Sequence, residues 1–69
     1  MSTATIIDVC IPRAAEGQMV QSGRAYCRTD RGFEVRKASR DQSTGPAWKL
    51  GARLSRHTTE RAALTAAAY

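Results

Sequence analysis

The chain has 69 residues, 42% hydrophobic and 25% charged, with aromatics at only 6% and a formal net charge of +5. These totals exclude a disordered segment and allow one small α+β or similar domain. Its core is thin, because much of the apolar fraction is alanine, which buries little area. The positive surplus favours a polyanionic partner: nucleic acid, an acidic protein surface or anionic lipid. Nine of the eleven cations are arginine, which a GC-rich coding sequence would also produce. The placement of the charges therefore says more than their total.

Residues 3–11, TATIIDVCI, are rich in β-branched side chains and stop at Pro12. They read as a strand with Ile7, Val9 and Ile11 on one face and Ile6, Asp8 and Cys10 on the other. The following residues to 22 are mostly connection. Met19 and Val20 can extend the next strand, with Ser22-Gly23 as a bulge.

Residues 24–29 form the second strand and 33–38 the third. Asp30-Arg31-Gly32 reads as a three-residue turn, since Asp hydrogen-bonds nearby backbone and Gly takes positive φ. That turn would pair Arg28 with Glu34 and Tyr26 with Arg36. Alternation then sorts Ala25, Cys27, Val35 and Phe33 to the core, and Arg24, Tyr26, Arg28, Glu34 and Arg36 to the opposite face.

Residues 39–46, SRDQSTGP, read as a polar loop. In 47–56, AWKLGARLSR, apolar and polar residues alternate, predicting a fourth strand with Trp48, Leu50 and Leu54 in the core and Lys49 and Arg53 outward. Thr58 or Thr59 can cap a short C-terminal helix, with Glu60 favouring its N-terminal dipole and Leu64, Ala67, Ala68 and Tyr69 supplying the packing face. The expected fold is a single α+β domain over residues 1–69: an antiparallel sheet of three to four strands covered on one face by this helix.

Arg24, Tyr26, Arg28, Arg36, Lys49 and Arg53 are thus expected together on the uncovered face. Arginine's planar fork donates paired hydrogen bonds to phosphate, and an aromatic on a sheet can stack an unpaired base. A solvated face held by an Arg28–Glu34 ion pair is the plain alternative.

Catalytic and metal chemistry have little support. One histidine, His57, and two cysteines lack a zinc spacing, the six acids show no paired pattern, and the glycines form no phosphate loop. Neither a cofactor nor a metal is expected. Cys10 and Cys27 are expected as free thiols, with a disulfide between two strands as the alternative. No apolar run is long enough to cross a membrane and no secretory leader is visible, so a cytoplasmic location is expected.

The best expectation is a non-enzymatic nucleic-acid-binding module. The alternative is an accessory protein of the kind phages and mobile elements use to inhibit a host defence complex, in the style of anti-CRISPR proteins, through protein–protein binding. A homodimer is a further way for so small a core to bury surface.

Overall fold

The computed structural model describes residues 4–69. Four antiparallel strands, β1 (Thr5–Cys10), β2 (Val20–Thr29), β3 (Gly32–Asp41) and β4 (Lys49–His57), form one sheet in the order β1-β2-β3-β4. A 3₁₀ turn at Arg13–Ala15 joins β1 to β2, and the helix α1 (Glu60–Ala67) ends the chain. The α+β architecture is as expected. The chain measures 34 × 27 × 16 Å, and the short dimension holds two layers, a sheet and a helix.

β2 and β3 are longer than their apolar cores. Pairing runs without interruption from Thr29↔Gly32 to Val20↔Asp41, and the Gln42 N–H donates to Met19 O at 2.9 Å. Gly23 therefore sits in regular pairing opposite Ala38 rather than in a bulge. A Cβ there would land on the Cys10 carbonyl oxygen and within 2.9 Å of Ile11 Cγ2. Close approach of β1 is what requires glycine here. The irregularities lie instead in the edge strands, between Ile6 and Asp8 in β1 and at two points where β4 meets β3.

The hairpin differs from the expected one by a single residue. Asp30 and Arg31 alone make the turn, and Gly32, at φ +128°, already belongs to β3. Arg28 consequently pairs with Phe33, Cys27 with Glu34 and Tyr26 with Val35. Because side chains alternate, this shift turns all of β3 over relative to β2. Phe33, Val35 and Lys37 share a face with Arg24, Tyr26 and Arg28. Glu34, Arg36 and Ala38 share the other with Ala25 and Cys27.

The helix covers the first of these faces. Thr59 Oγ1 accepts from the Ala62 N–H at 3.2 Å and caps α1. Ala63 and Ala67, one turn apart, are fully buried against Tyr26 and Val35, with Cys10 and Phe33 at the margin. Small residues let the helix lie close over the tyrosine ring. Leu64, expected to pack inward, is instead exposed.

A second, smaller cluster forms on the open face. Ala25, Cys27 and Ala38 are buried there although no layer covers them. They are short, and taller neighbours (Ile6, Val9, Trp48 and Leu50) close over them. Trp48 and Leu50 are consequently only half-buried, and Leu54, expected in the core, is 47% exposed on the helix side.

Candidate nucleic-acid interface

The six residues singled out by sequence do not share a face. Arg24, Tyr26, Arg28 and Lys49 lie on the helix side, while Arg36 and Arg53, partners across β3 and β4, lie on the open side. Tyr26 is 7% exposed beneath α1 and has no surface to offer a base. Burial pushes its hydroxyl pKa up, and Asp8 and Glu60 add to that direction. Arg24 is occupied locally: its guanidinium donates to Ala68 O at 3.2 Å and stacks 4.2 Å from the Tyr69 ring centroid. Arg28 lies 6.0 Å from the Phe33 centroid. The expected Arg28–Glu34 ion pair does not form.

The open face instead gathers a different set of arginines. Arg36 donates through Nε to Glu34 Oε2 at 2.7 Å and through a terminal nitrogen to Gly51 O at 3.0 Å. This is the one salt bridge among the described residues, and Glu34 is its buried partner. Arg53 stands opposite Arg36, and Arg56 opposite Glu34. In a regular strand residues 53 and 56 would point to opposite faces; the irregular pairing of β4 with β3 brings both to this one. Arg31, in the turn, completes the group around a cleft of about 280 Å³ that also touches Thr29, Asp30, Phe33 and His57.

At the other end of the open face, Arg40 lies over Trp48, its guanidinium carbon 4.4 Å from the ring centroid. Its Nε donates to Gln21 Oε1 at 2.8 Å, and Gln21 in turn donates to Ala15 O at 3.1 Å. That chain of bonds satisfies the buried glutamine and fixes the arginine over the indole. Sequence reasoning missed Arg31, Arg40 and Arg56. The count of residues in the Asp30-Arg31 turn and the irregular β4 pairing reveal Arg31 and Arg56, and Arg40 is revealed by β3 running on to Asp41 through residues 39–41, expected as part of a polar loop.

Between the two arginine groups runs the apolar strip of Ile6, Val9, Leu50 and Trp48. Burial raises the pKa of the Cys27 thiol beneath it, Glu34 raises it further, and Arg36 only partly opposes. Cys10 lies on the helix side of the sheet, so the two free cysteines are on opposite faces and not placed to bridge.

Ser55 Oγ and His57 Nε2 are 2.8 Å apart. A nucleophile–base pair needs a third group to orient the ring, and no carboxylate bonds to His57 among the described residues. No group of three or more potential metal ligands occurs among the described residues, and no helix is long and apolar enough to cross a membrane. Comparisons with protein families, with characterised proteins and with solved structures find no match to this chain.

Proposed function

We propose that the chain is a non-enzymatic binding module that engages nucleic acid through the open face of its sheet. The observation carrying this reading is the convergence of Arg31, Arg36, Arg53 and Arg56 on one cleft, with Arg40 fixed over Trp48 on the same face. Arginine forks suit phosphate oxygens, and these contacts position a strand without reading its sequence. Trp48, half-buried at the far end beneath Arg40, is the one aromatic on this face.

The test is binding of short single-stranded and duplex oligonucleotides across a salt series. Three phosphates neutralised on duplex DNA give a log–log slope of about −2.7, from −0.9 each. Absence of binding at low salt contradicts the proposal.

A second reading has its own support. The apolar strip of Ile6, Val9, Leu50 and Trp48 contributes nothing to phosphate contacts, but with flanking arginines it fits a protein surface whose rim is acidic. That arrangement suits an inhibitor or adaptor acting on a host complex. Binding that is insensitive to oligonucleotide, together with capture of a defined acidic partner lost on Leu50→Asp, supports this second reading.

A further inference from the structure

We infer that the cleft between the Asp30-Arg31 turn and β4 binds a phosphomonoester dianion, the terminal phosphate of a nucleic-acid strand; this rests on the nucleic-acid reading above and names the part of the ligand that enters the cleft. The charge balance is the first reason. Four arginines, Arg31, Arg36, Arg53 and Arg56, face two acids, Asp30 and Glu34. Glu34 is already committed to Arg36, and no acid is bonded to Arg53 or Arg56 among the described residues. The surplus is two positive charges. An internal phosphodiester carries one negative charge, whereas a terminal phosphate carries about 1.5–2 at pH 7. A strand end neutralises the cleft and an internal linkage leaves it half compensated.

Shape is the second reason. At about 280 Å³ the cleft has room for a phosphate group among its arginines. The turn residues Thr29, Asp30 and Arg31 line one side, and Arg53 and Arg56 of β4 line it as well.

Preorganisation is the third. Arg36 is held by Glu34 at 2.7 Å and by Gly51 O at 3.0 Å, which leaves its other terminal nitrogen as a fixed donor. Thr29 Oγ1 accepts from the Arg31 N–H at 3.2 Å, so its own hydroxyl proton is available to a phosphate oxygen. Fixed donors lose little freedom on binding.

The experiment measures fluorescence anisotropy of one single-stranded oligonucleotide in three forms: 5′-phosphorylated, 3′-phosphorylated and hydroxyl at both ends, with the dye placed internally. One phosphorylated form should bind about tenfold more tightly than the hydroxyl form, as one added charge-assisted contact implies. Inorganic phosphate should erase that increment and leave the remaining affinity. Arg53→Ala and Arg56→Ala should each remove the increment, and Arg61→Ala, an exposed helix position, should keep it; circular dichroism checks that each variant is folded. Equal binding of all three forms overturns the terminal-phosphate inference while leaving the nucleic-acid reading intact. Absence of binding by any form overturns both.

Discussion

Replacing Tyr26 with alanine separates the two ways of assembling this hairpin. With a three-residue turn the ring stands on an open face, and its loss should change stability by only about 0.5 kcal/mol. In the structure the ring is 7% exposed and packs against Val35, Ala63 and Ala67 beneath α1. A buried aromatic removes about 150–250 Å² from water, worth about 4–6 kcal/mol at about 25 cal/mol per Å². That figure is an upper bound, because denatured chains already bury some surface, and aromatic-to-alanine changes in cores cost about 3–5 kcal/mol. A 69-residue domain at about 0.05–0.15 kcal/mol per residue has about 3–10 kcal/mol in total. Tyr26→Ala therefore consumes from about a third of the stability to all of it. Urea unfolding followed by circular dichroism should show a large drop in midpoint or loss of the cooperative transition. Tyr26→Phe, which keeps the ring, should stay within about 1 kcal/mol. Leu54→Ala provides the converse check: at 47% exposure it should cost about 1 kcal/mol and not the larger penalty of a core leucine. A Tyr26→Ala protein as stable as the parent refutes the placement of the helix.

Gly23→Ala should destabilise by about 1–3 kcal/mol or more in the same assay, because the new Cβ meets the backbone of β1 and not a flexible side chain. Cys27, fully buried and with its pKa raised by burial and by Glu34, should react slowly with a thiol reagent in native protein and rapidly in denaturant. Intact mass should show both cysteines reduced, and fast native labelling at Cys27 contradicts the buried position. Asp41 should titrate below the usual carboxylate range, since its Oδ1 accepts from Ser43 Oγ at 2.6 Å and from the Ser43 N–H at 2.9 Å. A depressed carboxyl contributes stability that is present above its unfolded pKa and lost as pH falls through the folded one. NMR should therefore place the loosening of residues 41–44 on the acid side of the ordinary range, and Ser43→Ala should move the Asp41 midpoint upward.

The strands, the capped helix and the α+β class were legible because β-branched runs, period-two alternation and Thr59 are local signals. The faces were not. β3 carries apolar and charged residues on both sides, with Phe33, Val35 and Lys37 on one and Glu34, Arg36 and Ala38 on the other. Its hydrophobic pattern therefore tolerates either register. What decides between them is whether Gly32 belongs to the turn or the strand, a difference of one residue with no compositional mark. The alternation of Trp48, Leu50 and Leu54 likewise predicts one face, yet irregular pairing with β3 carries Leu54 to the helix side and brings Arg53 and Arg56 together. The basic surface was foreseeable from the charge count; its membership was not.

The open face, and not the helix side, is the surface proposed to meet the partner. The most direct measurement compares oligonucleotide affinity at low salt for Arg53→Ala and Arg56→Ala against Arg28→Ala and Lys49→Ala, each removing one charge. The account predicts that the first pair weakens binding about tenfold or more and flattens the salt dependence by about one phosphate each, while the second pair changes it only slightly. Equal losses from both pairs would show that net charge alone draws the ligand, and a larger loss from Arg28→Ala and Lys49→Ala would place the interface on the opposite side of the sheet.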